Sequence, residues 1–148
     1  MFISSSTDSN KIHLIIGGGY ISEFHIRASL ANKFKVFVVE IDLAKRRYLK
    51  YLFPNVFIFS SVQKVIKEFD INTFELISIL IPIHYRKNLY KELPEINSKV
   101  LLEKPITSEC LKKFDNNRTF ICLNQAYNKS GFLINKSLFD NKSINKIS

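Results

Sequence analysis

Six short apolar runs, rich in β-branched and aromatic residues, recur along the chain: KIHLII (11–16), KVFVVE (35–40), NVFIF (55–59), ELISILI (75–81), SKVLLE (98–103) and RTFICL (118–123). Near-continuous apolarity, rather than strict alternation, predicts strands buried on both faces. Between the runs, apolar residues recur three and four positions apart, which predicts helices. Ile21, Phe24, Ala28 and Ala31 share one helical face, as do Tyr48, Tyr51 and Leu52 in the next segment. Val62, Val65, Ile66 and Phe69 form a third such face, and Tyr85, Leu89 and Leu93 a fourth. Asp42, Ser60 or Ser61, and Thr107 stand where helix N-caps are expected. Strands alternating with helices predict an α/β fold, a doubly wound parallel sheet of about six strands with right-handed crossovers. The Ser-rich residues 1–10 read as a flexible arm, and Tyr127 to Phe139 as one further helix.

At 148 residues the chain is the length of one domain and long enough to bury a core. Its net charge of +9 raises the question of a nucleic-acid partner. The 22 basic residues are mostly Lys, spread along the chain, and they accompany abundant Ile, Asn and Phe with only four Ala. That is the signature of A/T-rich codons, so neither nucleic acid nor a membrane surface is expected as a partner. The longest apolar run, Leu76 to Ile83, is too short to span a bilayer. The N-terminus lacks the pattern of a secretory signal. Cys110 and Cys122 fit no metal or redox spacing and read as reduced thiols of a cytoplasmic protein.

The strongest local feature is His13-Leu-Ile-Ile-Gly-Gly-Gly-Tyr-Ile-Ser22, a buried strand entering a glycine turn and then a helix. In the pattern G-x-G-x-x-[G/A/S], Gly17 permits the tight turn and Gly19 lets backbone approach a pyrophosphate. Ser22 is small enough for close helix packing. The helix start, at Tyr20 and Ile21, offers free N–H groups and a positive dipole end to phosphates. No GK[ST] ending is present, which argues against a nucleoside-triphosphate loop. Glu40 ends the second strand 18 residues after Ser22, where a carboxylate can accept hydrogen bonds from ribose hydroxyls. The alternative is a glycine turn that serves only chain reversal. Asp42 reads as a helix cap. An acid at Glu40 favours NAD over NADP, although Arg46 and Arg47 lie close enough to receive a 2′-phosphate or simply to face solvent.

Two further segments fall at strand ends: Ile79-Leu-Ile81-Pro82-Ile83-His84-Tyr-Arg86 and Val100-Leu-Leu-Glu103-Lys104-Pro105. Together with GGGYIS at 17–22, His25, and Glu40 with Asp42, they make the chain resemble the glucose–fructose oxidoreductase and inositol dehydrogenase family (Gfo/Idh/MocA) across roughly residues 11–127. The resemblance implies a Rossmann domain that binds NAD or NADP. It implies hydride transfer to or from a sugar, cyclitol or related carbonyl. Lys104 matches the family's EKP lysine beside nicotinamide and substrate, where it can hydrogen-bond the reacting oxygen and stabilise developing charge. By the same resemblance Gly17, Gly19, Tyr20, Ile21, Glu40, Ile81, Pro82, His84, Glu103, Lys104 and Asn124 are the expected cofactor contacts, with no metal ligand among them. Isolated, Lys104 reads as a surface lysine, His84 as a capping residue and Asn124 as a strand-end residue.

Departures bear on function. Where the family often has a polar residue and then a His after its proline, this chain has Ile83 and Arg86. Leu123-Asn124-Gln125 lacks the glycine and arginine of the family's sixth-strand segment. His13, His25 and His84 are the only histidines, and none comes after Lys104, so the family's acid/base His has no counterpart here. The expected organisation is a cofactor domain at 11–126 and the start of a truncated region at 127–148, with possible self-association through uncovered surface. A standalone dinucleotide-binding module that acts with a partner protein is the alternative. A methyltransferase reading is disfavoured by Glu103-Lys104-Pro105.

Overall fold

The structure, a computed structural model, describes residues 11–122. Asn124 and the helix expected at 127–139 lie outside the described residues, as does the arm at 1–10. The strands are β1 (Ile12–Ile16), β2 (Lys35–Val39), β3 (Phe57–Phe59), β4 (Leu76–Ile79), β5 (Lys99–Leu102) and β6 (Thr119–Ile121). The helices are α1 (Tyr20–Ala31), α2 (Leu43–Leu52), α3 (Val62–Glu68), α4 (Ile83–Glu92) and α5 (Ser108–Lys113), with a 3-10 turn at Ile71–Thr73. All five strand pairings are parallel, in the order β3-β2-β1-β4-β5-β6. The expected six-stranded α/β sheet is therefore present. The order reverses between β1 and β4, which opens a crevice at their carboxyl ends.

Helix starts agree with the sequence reading. Asp42, Ser61 and Thr107 each accept a backbone N–H in the first turn of α2, α3 and α5. Ser60 does not act as a cap. Several strands are shorter than the apolar runs; β4 ends at Ile79, after which Pro82 starts α4.

Two apolar layers hold the helices to the sheet. On one face Ile15, Val36 and Val38 pack with Ile26 of α1 and with Leu49, Phe53 and Val56 at and beyond α2. On the other, Leu14, Phe37, Ile77, Ile79 and Leu102 pack with Val65, Leu89, Cys110 and Phe114. The Phe37 ring stacks on Phe57 at 4.9 Å and meets Phe69 and Phe74 edge-on.

Three helix faces differ from expectation; in α4 Leu89 is buried, with Leu93 just beyond it, but Tyr85 is exposed. The buried face of α1 is Ser22, Ile26 and Ser29, whereas Phe24, Ala28 and Ala31 are exposed. The reason is polar: His13, buried in β1, holds Ser29 Oγ at 2.6 Å through Nδ1 and Ser78 Oγ at 2.7 Å through Nε2. A helix docked on a buried imidazole turns its small hydroxyl residues inward. In α2, Leu49 is buried, and Tyr48 and Tyr51 face outward.

Candidate functional site

The glycine turn sits at the carboxyl end of β1. Gly17 has φ +109°, and a Cβ there would stand 2.9 Å from Ile81 Cγ2 and 3.1 Å from the Ile81 backbone nitrogen. That position requires glycine both for its dihedral and for its packing against the β4 end. Gly18, to which the sequence pattern gives no role, is constrained by packing alone: a Cβ would meet Leu49 Cδ1 at 2.7 Å and Glu40 Cβ at 2.9 Å. Gly19 is different. It is the N-cap of α1, no side chain caps the helix there, and a Cβ would touch nothing within 4 Å. The amides of Gly19, Tyr20 and Ile21 find no partner among the described residues. Uncapped N–H groups at a helix start with open space before them suit an anion.

Glu40, buried just past β2, accepts the Gly18 N–H through Oε2 and the Asp42 N–H through Oε1, both at 2.8 Å. Each carboxylate oxygen keeps acceptor capacity beyond these bonds. Arg46 Nη1 donates to the carbonyls of Glu40 at 2.9 Å and Ile41 at 2.6 Å, and so ties α2 to the β2 end. Arg47 is exposed. A cavity of about 300 Å³ opens at this edge, bordered by Ile16, Gly17, Glu40, Ile81, Tyr85 and Asn88 among others. It lies at the strand-order reversal, where open α/β sheets hold ligands.

The other expected residues are spread more widely. Pro82 is the exposed N-cap of α4, and exposed His84 lies with its ring 4.1 Å from that of Tyr85. Tyr20 is exposed and meets Phe24 edge-on. Lys104 is exposed, and the Lys104–Pro105 peptide is cis. Glu103 and Ile21 border a second cavity of about 600 Å³ with Phe24, His25, Ala28, Leu101 and Cys122. There burial lowers His25 below its ordinary value, against the upward pull of the Glu103 carboxylate. Burial and that same carboxylate push the Cys122 thiol up to about 12. Gly17 and Glu103 thus border different cavities.

Arg86 is a residue whose role sequence reasoning missed. It is 3% exposed, yet no carboxylate pairs with it among the described residues. Nε donates to Ile81 O at 2.9 Å, Nη1 to Pro105 O at 2.7 Å and Nη2 to Lys104 O at 3.3 Å. One guanidinium fork therefore fixes the Pro82 turn against the EKP turn. In sequence it appears only as an arginine four positions after a proline, which signals nothing about burial.

A doubly wound parallel sheet with this order, an open glycine-turn helix start and an acid at the β2 end defines a dinucleotide-binding α/β domain. The sequence profile described as "Oxidoreductase family, NAD-binding Rossmann fold" (Gfo/Idh/MocA) matches residues 12–116. The chain belongs to this family. No curated protein matches the sequence. Among solved structures, the chain is similar to the WlbA dehydrogenase from Chromobacterium violaceum in complex with NADH and UDP-GlcNAcA (TM-score 0.70, 19% identity, 90% of this chain and 41% of that one). It is also similar to an oxidoreductase from Agrobacterium radiobacter in complex with NAD+, L-tartaric acid and magnesium (TM-score 0.59, 10% identity, 80% and 36%). These likenesses bear on the fold. The chain spans about two fifths of the length of the first of these, 41%. No helix among the described residues is long and apolar enough to cross a membrane.

Proposed function

We propose that the chain binds NAD along the carboxyl edge of its sheet, as the cofactor-binding part of an oxidoreductase acting on a sugar, cyclitol or related carbonyl. The observation that carries this reading is the start of α1, where unpartnered amides meet open space at Gly19. A pyrophosphate supplies the missing acceptors to Gly19, Tyr20 and Ile21. Glu40 accepts from the adenosine ribose hydroxyls with the lone pairs that Gly18 and Asp42 leave free. Ile81, Pro82 and His84 border the nicotinamide side, with Glu103 and Lys104 completing it; Asn124, outside the described residues, keeps the cofactor contact that the family resemblance gives it.

NAD is preferred to NADP on electrostatic grounds. A 2′-phosphate at the ribose would meet the Glu40 carboxylate. The nearest cation, Arg46, is already committed to two main-chain carbonyls.

Bound NAD supplies a carbon that gives or takes hydride. The chain's own contribution is placement and charge. Lys104 Nζ donates a hydrogen bond to the reacting oxygen and stabilises the negative charge that gathers there. Arg86 is a positioning residue, because it holds the Lys104 and Pro105 carbonyls without reaching the edge itself. The cofactor unit is residues 11–126, and 127–148 opens a separate C-terminal region. The three histidines all precede Lys104, so no histidine of these residues is assigned the acid/base role that the family places after its EKP segment. The nucleotide sugar held by the Chromobacterium relative supports a sugar-type substrate.

Calorimetric titration of the chain with NAD+ and NADP+ tests the proposal. Saturable NAD+ binding at least tenfold tighter than NADP+ is expected, with the gap narrowed in Glu40→Ala. At 100 times Kd the ligand should add about 2.7 kcal/mol of stability. Failure of both nucleotides to bind at millimolar concentration would overturn the proposal.

A further inference from the structure

Away from the strand-order reversal, three metal-ligating side chains converge from three elements. His25 comes from the second turn of α1, Glu103 from the residue after β5, and Cys122 from the residue after β6. Their donor atoms, one nitrogen, one oxygen and one sulfur, all lie within 4.8 Å of one another. No other group of three such residues forms among the described residues. The backbone under each is fixed. The Cys122 N–H donates to Leu102 O at 2.8 Å, the Glu103 N–H to Ile79 O at 3.2 Å, and the His25 carbonyl accepts Ser29 Oγ at 2.7 Å.

The cluster is not accounted for by ion pairing. The ion pairs among the described residues are Lys87–Glu109 and Arg118–Asp115, and neither involves His25 or Glu103. Among the described residues, no Lys or Arg borders the cavity of about 600 Å³ that the three side chains share. Glu103 therefore faces an imidazole and a thiol with no fixed counter-cation from these residues beside it.

We propose that His25, Glu103 and Cys122 bind a zinc ion, with the fourth coordination position open to the cavity. The donor set is the argument for zinc. A sulfur and an imidazole exclude magnesium and calcium, which take oxygen ligands. Zinc accepts nitrogen, sulfur and carboxylate oxygen in one tetrahedral shell. Bond lengths of ~2.0–2.3 Å around a tetrahedral centre put ligand atoms roughly 3.3–3.7 Å apart. The donors, none more than 4.8 Å from another, thus need to close in by at most about 1.5 Å, which side-chain torsions supply while the backbone bonds stay in place. Ile21, Phe24, Ala28 and Leu101 surround the site with apolar surface. That leaves room at the fourth position for a water or a small anionic or thiol ligand. The site uses residues 97 positions apart in the chain, 25 and 122, so it has no sequence motif. It shares Glu103 with the proposed nicotinamide side, so the two sites adjoin, and zinc and NAD+ are read separately in the test.

The test is metal titration of the untagged full chain, stripped with chelator and kept reduced, using zinc and then cobalt(II) as a spectroscopic substitute. One zinc per chain is expected, with a Kd at or below about 1 μM. Cobalt should show the thiolate-to-metal charge-transfer band and the strong visible bands of a tetrahedral site. Cys122→Ser should abolish the charge-transfer band and weaken zinc at least tenfold, and His25→Asn should weaken it similarly. NAD+ binding by Cys122→Ser should stay within twofold of the parent. Absence of saturable zinc binding, or a charge-transfer band that survives Cys122→Ser, would overturn the proposal. Should Cys122→Ser fail to fold, Cys110→Ala decides: a retained cobalt band supports the site, and a lost one overturns it.

Discussion

His13 Nδ1 donates to Ser29 Oγ at 2.6 Å, and the direction of that bond fixes the tautomer of a ring buried at the centre of the sheet. Ser29 spends its own proton on the His25 carbonyl at 2.7 Å, so toward His13 its oxygen accepts. The other ring nitrogen, Nε2, must then accept from Ser78 Oγ, 2.7 Å away. The neutral imidazole is fully satisfied in this arrangement. A second proton, on Nε2, would reverse the Ser78 bond and turn the Ser78 hydroxyl proton away from the ring, and the buried imidazolium would still lack a counter-charge.

Burial, with a smaller contribution from His25, accordingly lowers the His13 pKa to about 3. A histidine depressed in the folded state stabilises the fold fully above its unfolded value of about 6.5 and progressively less as pH falls toward 3. At pH 5 the loss from His13 is about 2 kcal/mol relative to pH 7.5. Urea denaturation at the two pH values should show this loss. His13→Asn should be less stable at pH 7.5 but show a shallower fall to pH 5.

Gly17 and Gly19 separate folding from ligand binding. Gly17→Ala combines a positive φ with a Cβ 2.9 Å from Ile81 Cγ2, and should cost about 2 kcal/mol or more. Gly19→Ala meets nothing, so thermal unfolding without ligand should change by less than about 0.5 kcal/mol. Its NAD+ affinity should nevertheless fall at least tenfold by calorimetry, because the methyl group enters the space kept for the pyrophosphate.

Arg86→Met removes a buried guanidinium that grips three main-chain carbonyls. Leaving those carbonyls unpaired should cost roughly 2–4 kcal/mol in a denaturant melt. Arg86→Lys should recover little of it, since a single ammonium cannot span two loops as the planar fork does. Hydrogen exchange should accelerate selectively around residues 103–106.

Leu49 and Tyr51, two positions apart in α2, should respond oppositely to truncation. Leu49 is 1% exposed and its Ala variant should lose about 2–4 kcal/mol. Tyr51 is 82% exposed, and Tyr51→Ala should stay within about 0.5 kcal/mol of the parent.

The strands were legible because burial on both faces leaves a run that few other structures produce. The caps at Asp42, Ser61 and Thr107 were legible because their chemistry is local. The inward face of α1 was not, because it is set by a histidine on another element that holds Ser29 inward, so the apolar stripe points the wrong way. Gly17 and Glu40 could be singled out from their spacing. The constraint on Gly18 could not, since it comes from Leu49 in the next helix. The burial of Arg86 was not legible, because nothing near it in sequence tells a buried guanidinium from a surface one. His25, Glu103 and Cys122 meet only after the sheet has been assembled.

The Arg86 fork binds oxygen atoms that every residue possesses. Its grip on positions 81, 104 and 105 is therefore blind to the side chains mounted there. Residues at the tips of the two turns can be exchanged, and with them what the edge of the sheet recognises, while the distance between the turns stays as the guanidinium sets it.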